Sequence, residues 1–302
     1  MRPVETDAPA WSPVVRTSRV RQWMRLSRLV RLGDTRGMSG PASPEPSPHD
    51  LFPSLWGGLW LVVAALCVEA LVDVLVASAL PGLAETEQAA LGRLLANAVL
   101  FSALMSFKRL GYRSLFHGRH GTLVATLALT VPPVLALVPA LLVAESWVQM
   151  LLVWLVPMSS WEQRAFEQMA SLTPGTVVLV CVLAPVLEEM LFRGIILRSF
   201  LQRYPRGVAI VHSAGLFGLA HWNLYQFVGA MGLGLLAGWL YERTRSLWPC
   251  IALHAGYNIS CTLLTQDANP NADFSAAAVL AALCTALLAA WWLRRCLRPQ
   301  AG

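Results

Sequence analysis

Residues 52–80 read FPSLWGGLWLVVAALCVEALVDVLVASAL. A helix of about 20 apolar residues crosses a hydrocarbon core. This run is longer than that, and Glu69 and Asp73 are its only charged residues. Seven further apolar runs follow, at about 89–107, 121–143, 173–192 (reaching about 203 if the helix continues), 207–223, 225–242, 247–265 and 274–293. Short polar breaks separate them. The spacing predicts an all-α polytopic membrane protein with about eight transmembrane helices. A ninth apolar run, Trp147–Pro157, is too short to cross alone, and the amphipathic stretch SSWEQRAFEQMASLTPG follows it. This pair reads as a re-entrant or interfacial element within an N-terminal region of 51–172.

Composition agrees with the runs. Of the 302 residues, 56% are hydrophobic and 13% charged, against about 25% charged in a soluble domain. Such a chain cannot clothe a soluble surface, so a soluble enzyme, a disordered chain and a collagen-like chain are excluded. The net charge is +6, and all basic residues but Lys108 are arginine. In a membrane protein this excess belongs to cytoplasmic loops, so no nucleic-acid partner is expected. The six cysteines form no CxxC and no spaced framework, which points to neither disulfides nor a thiolate metal site. Residues 1–50 form a basic cytoplasmic tail, with six arginines between Arg16 and Arg31 and a Pro/Ser linker at Gly40–Pro48. The tail carries no apolar segment of the kind a cleavable signal peptide has.

Charge also sets the topology. With the tail inside, the breaks alternate. Glu85 and Glu87 fall outside; Lys108, Arg109, Arg113 and Arg119 fall inside. Residues 145–172, with Glu145, Glu162 and Glu167, are outside, and Arg193, Arg198, Arg203 and Arg206 are inside. The turn at Asn223 is outside, and Arg243 and Arg245 are inside. Asp267 and Asp273 are outside, and Arg294, Arg295 and Arg298 are inside. Eight spans with both termini cytoplasmic satisfy the positive-inside rule, as expected of a bacterial inner-membrane protein. A crossing at 147–157 would invert everything after it. Trp239, Tyr241, Trp248, Trp291 and Trp292, near span ends, read as interfacial anchors.

Ionisable groups within apolar spans are costly and are either paired or functional. The densest set is LAPVLEEMLFRG. Glu189 and Arg193, four apart, share a helix face and can pair. Glu188 points about 100° away from Glu189 and is left without an intrahelical cation, free to face a cavity as a general base. FGLAHW follows, with Phe217 and His221 one turn apart, and then LHAGYN, with His254 and Asn258 four apart. A Glu and a His can hold and deprotonate water, while imidazole and carboxamide N–H groups can stabilise an oxyanion. Glu and two His are equally sufficient ligand types for zinc. His212, about 180° from His221 on the helix, faces elsewhere. Glu69 and Asp73 could reach Arg93 as a structural ion pair, or alternatively serve a proton path or substrate recognition.

These motifs, EExxxR (Glu188, Glu189, Arg193), FxxxH (Phe217, His221) and HxxxN (His254, Asn258), in this order on separate spans, resemble those of the CPBP intramembrane proteases. That family includes the CAAX prenyl endopeptidases of the Rce1 type and the bacterial Abi proteins. The glycines between the second and third motifs (Gly229, Gly232, Gly234, Gly238) also resemble the family, and Gly234 and Gly238 at GxxxG spacing allow close backbone approach. The resemblance covers about 173–265, within a catalytic transmembrane core of 173–296. It implies an eight-helix fold, a site open to the cytosolic side and hydrolysis of a membrane-associated peptide or protein. By analogy Glu188 activates water with His221, His254 and Asn258 form the oxyanion hole, and Glu189 and Arg193 order the site. A glutamic mechanism without metal is preferred. If zinc is bound, its ligands are Glu188, His221 and His254. Membrane lipids are the expected surroundings. The alternative is a non-catalytic scaffold or bacteriocin-immunity-type protein on the same fold; a proton-relay transporter is disfavoured because no internal repeat is visible.

Overall fold

The computed structural model describes residues 52–118, 122–266 and 274–297. The expected basic tail, its linker, and the charges at 119, 267, 273 and 298 lie outside these residues. The described chain is helical: α1 Leu55–Ala79, α2 Glu85–Lys108, α3 Tyr112–Phe116, α4 Leu123–Leu135, α5 Val138–Leu155 and α6 Ser160–Ala170. Then come α7 Pro174–Arg203, α8 Arg206–Leu219, α9 Leu224–Thr244, α10 Trp248–Gln266 and α11 Ala276–Cys296. No strand is present among the described residues. Six helices (α1, α2, α5, α7, α9 and α11) are long and apolar enough to cross a membrane, and α4 and α8 are shorter apolar helices. Taken with α10, and with α4 joined to α5, they correspond to the eight expected runs.

One boundary differs. Trp147–Pro157 is not a separate re-entrant element; all but its last two residues form the second half of α5. Pro132 and Pro133 interrupt the bonding of α4, yet Ala136 and Leu137 stay in the right-handed helical region. The chain therefore continues in the same direction instead of turning back. Its ends confirm this: Trp292 Nε1, near the end of α11, donates to Leu129 O at 3.1 Å, while Gln149 Nε2, late in α5, donates to Tyr225 O at the start of α9 at 2.8 Å.

The polar breaks gather at two ends. At one, Arg198 donates to Ser114 O, Arg206 pairs with Glu242 and Gly118 N donates to Arg245 O. Lys108, buried, reaches Phe52 O and Ser199 Oγ. At the other, Thr86 meets Thr173, and Asn223 Nδ2 donates to Glu162. The basic and acidic breaks are thus segregated, as the alternation predicts. Tyr241 departs from its expected role: it is 2% exposed and belongs to the core, whereas Trp248, Trp291 and Trp292 are exposed.

The core is densest toward the basic end, where Leu115, Ile195, Ile196, Leu197, Leu240 and Leu247 are fully buried. There α8 and α9 pack closely because Gly234 and Gly238 face Ala214 and Ile210. A Cβ on Gly234 would lie 3.0 Å from Ala214 Cβ and 3.1 Å from its Cα. Gly234→Leu should therefore lower stability by about 1–3 kcal/mol through overpacking, seen as a reduced unfolding midpoint in detergent. An unchanged midpoint would contradict this packing.

Helix α6 has no buried residue and begins with a capping box. Ser159 N and Oγ both donate to Glu162 Oε2 at 2.8 Å, and Glu162 N donates to Ser159 Oγ. These bonds hold the Glu162 carboxyl below its usual 4.5. A depressed carboxylate stabilises above its unfolded pKa and loses that contribution as pH falls through the folded value. Hydrogen exchange of the first α6 amides should thus accelerate below pH 4.5 beyond the intrinsic trend, and Glu162→Gln should abolish that step. A profile identical in wild type and variant would refute the cap.

Candidate active site

Helix α7 carries the site and is wound unusually. It has wide i→i+5 turns over Val177–Leu183 and Met190–Leu197, on either side of Ala184–Glu189. Such segments recur at functional sites. In the first, Ala184 N bonds back to Leu179 O, so the next residue would bond to Val180 O. That residue is Pro185, which has no N–H. Asn258 Nδ2 fills the gap, donating to Val180 O at 2.8 Å. In the second wide segment Ser213 Oγ donates to Phe192 O at 3.1 Å. A side chain of α10 thus fills the gap at Val180 O, and one of α8 adds a bond to the second wide segment.

Glu189 is fully buried. Its Oε1 accepts from Arg193 Nη1 at 2.8 Å, and His254 Nδ1 lies 3.1 Å from the same oxygen. Arg193, also fully buried, donates onward to Gly234 O at 3.2 Å and lies 4.6 Å over the Phe217 ring. That ring is the common platform of the site. Its centroid is 5.1 Å from His221, 5.7 Å from His254 and 5.0 Å from Phe192, all edge to face. His221 Nδ1 is 2.9 Å from Phe217 O. A carbonyl only accepts, so Nδ1 carries the proton in this bond and Nε2 is the free nitrogen. The turn beyond it places Trp222 at φ 54°, and Asn223 Oδ1 caps α9 at Tyr225 N and Gln226 N.

Glu188 is not the cation-free carboxylate that the sequence suggests. Arg93 Nη2, from α2, donates to its Oε1 at 2.8 Å. Glu69, from α1, sits on the same guanidinium with Oε1 3.8 Å from Nε, and accepts from Asn97 Nδ2 at 2.7 Å. The reach from Glu69 to Arg93 is as expected; its continuation to Glu188 is the part that spacing within 173–265 could not reveal. The other oxygen, Glu188 Oε2, is buried without a hydrogen-bond partner and faces His254 Nε2 at 3.8 Å.

A cavity of about 250 Å³ lies against this group. Glu69, Arg93, Glu188 and His221 line it together with Met169 and Gln226. His254 stands behind Glu188, and Asn258 does not line the cavity. His212 packs against Phe200 and Tyr204, away from it. The zinc set Glu188, His221 and His254 does not fit. Arg93 occupies Glu188 Oε1, and among the described residues no three or more metal-binding side chains are gathered.

The fold is that of a helical membrane protein, and comparison with known proteins finds similarity over the segment that carries the three motifs. Residues 170–260 match the family described as Type II CAAX prenyl endopeptidase Rce1-like, so the resemblance read from the three motifs is borne out over that segment. The Bacillus subtilis (strain 168) protein named "Putative membrane peptidase YdiL" is 26% identical over 104 residues, which is 34% of this chain and 43% of that protein. The match therefore spans less than half of the relative. No solved structure matches the chain.

Removing Arg93 would leave the half-buried Glu188 and Glu69 with their shared cation gone. Arg93→Ala should cost about 1–3 kcal/mol. Adding Glu188→Ala should recover part of that loss, giving a coupling of at least about 1 kcal/mol in a double-mutant cycle of detergent unfolding. Additive losses would show that the two groups do not interact.

Proposed function

We propose that the protein is an intramembrane endopeptidase that hydrolyses a peptide bond of a membrane-associated peptide or protein without metal. The observation that carries this reading is Glu188 itself: it lines the cavity, Arg93 fixes one oxygen at 2.8 Å, and the other is buried, unpartnered and faces His254 Nε2. In this reading a water donates to Glu188 Oε2. As its oxygen attacks the scissile carbonyl carbon, Glu188 takes the proton, a C–O bond forms and the carbonyl π pair moves to oxygen. His221, with Nδ1 committed to Phe217 O, is the second contact for the water through Nε2. The oxyanion is met by His254.

His254 has Glu189 Oε1 3.1 Å from Nδ1 and Glu188 Oε2 3.8 Å from Nε2, so Nε2 is the ring nitrogen left to meet the oxyanion. When the intermediate collapses, the C–N bond breaks and Glu188 returns its proton to the leaving nitrogen. Glu189 and Arg193 orient His254 and Phe217. Asn258 acts from behind by holding the open turn of α7, not by donating to the oxyanion as the resemblance implies.

The test is cleavage of a library of membrane-tethered fluorogenic peptides by the purified protein in proteoliposomes. Glu188→Ala and His254→Ala should each lower the rate at least about 100-fold with elution unchanged, and a chelator should leave the wild type active. Full activity in Glu188→Ala would remove it as the base. Activity lost to chelation and restored by zinc would overturn the metal-free mechanism. No cleavage by any form would favour the scaffold.

A further inference from the structure

The cavity runs from mid-bundle, at Val62 and Leu66 on α1 and Leu191 and Phe192 on α7, toward one end, and the charge distribution says which face that end is. Its lining reaches the acidic end of the bundle through Met169, on α6, and Gln226, in the first turn of α9, whose Nε2 lies 3.5 Å from Met169 Sδ. No lining residue comes from a basic break. Toward the basic end the way is closed: Leu115, Ile195, Ile196, Leu197, Leu240 and Leu247 are each at 0% exposure. Such close-packed interiors hold few voids larger than a water molecule. The breaks at that closed end carry Arg109, Arg113, Arg198, Arg203, Arg206 and Arg245, and Lys108 is buried beside them. The open end carries Glu85, Glu87, Glu162 and Glu167 against Arg164. Short loops rich in arginine stay in the cytoplasm.

We propose that the site opens on the non-cytoplasmic face, and that its substrate is a membrane protein or membrane-held peptide whose scissile bond lies in the outer half of the bilayer or just beyond it. This is opposite to the cytosolic opening that the family resemblance implies. The substrate class rests on the hydrolytic reading; the face does not. A peptide reaches the cavity past α6 and the α8–α9 turn; the fully buried residues around Leu115 and Ile195 separate it from the basic breaks, and a second cavity of about 690 Å³ at that end, lined by Trp239, Arg243 and Arg294, shares no lining residue with it.

Single cysteines separate the two faces. With the six native cysteines replaced by serine, Met169→Cys, Ala220→Cys and Gln226→Cys report on the cavity, and Arg113→Cys reports on the basic end. Each is treated with a membrane-impermeant maleimide, in spheroplasts and in inverted vesicles. The cavity cysteines should label at least tenfold faster in spheroplasts, and Arg113→Cys at least tenfold faster in inverted vesicles. Faster labelling of the cavity set in inverted vesicles, equal labelling in both, or labelling of Arg113→Cys from outside would overturn the proposal. Three cavity positions guard against one variant failing to fold. Outward labelling with no peptide cleaved would sink hydrolysis and leave the outward cavity standing. Cleavage with inward labelling would do the reverse.

Discussion

A carboxylate at the depth of an apolar bundle persists only if a cation meets it, and the bond from Arg93 to Glu188 at 2.8 Å meets that condition here. Much of the architecture follows from it. Arg93 can reach Glu188 only if α2 docks on α7, and Glu69 holds α1 to the same guanidinium. On the adjoining face of α7 the second pair is built likewise. Glu189 draws in Arg193 and His254, which ties α10 to α7, and Arg193 spends a further N–H on Gly234 O of α9. The charges that define the site are therefore the same charges that fix which helices are neighbours.

The remaining motif residues are explained by satisfaction of backbone and ring surfaces. Phe217 matters as a flat face under Arg193 and as the edge partner of His221 and His254. Asn258 replaces the hydrogen bond that Pro185 cannot make. Gly234 and Gly238 let α9 come close enough to α8 for Phe217 to sit under Arg193. A motif residue whose type suggests a hydrogen-bond donor to substrate can thus serve the backbone of the helix that carries Glu188 and Glu189.

Much of this was legible in the residues. The length of each apolar run and the alternation of arginine-rich and glutamate-rich breaks define the helix set and its two ends, because hydrophobic length and loop charge are local properties of the chain. The i, i+4 spacing of Glu189 and Arg193 was enough for their pairing. What was not legible depends on contacts between distant segments. Arg93 lies 95 positions from Glu188, so no spacing rule could join them, although Asn97 one turn beyond Arg93 was a signal that this face of α2 is polar. The break between α4 and α5 was hidden because Ala136 and Leu137 remain apolar and helical. Tyr241 looked like an anchor from its place near a span end, but the α9 face it occupies is the one turned into the core. The cavity is not confined to the segment that carries the motifs: it draws on α1 and α2 as well as α7 and α8.

The most direct measurement is the appearance of new peptide ends. Membrane fractions incubated with proteoliposomes of the wild type or of Glu188→Gln, which keeps the shape and loses the base, can be compared by mass spectrometry of free N-termini. New N-termini should appear beside membrane segments with the wild type and be absent with Glu188→Gln. The same set of N-termini in both samples would contradict a hydrolytic Glu188.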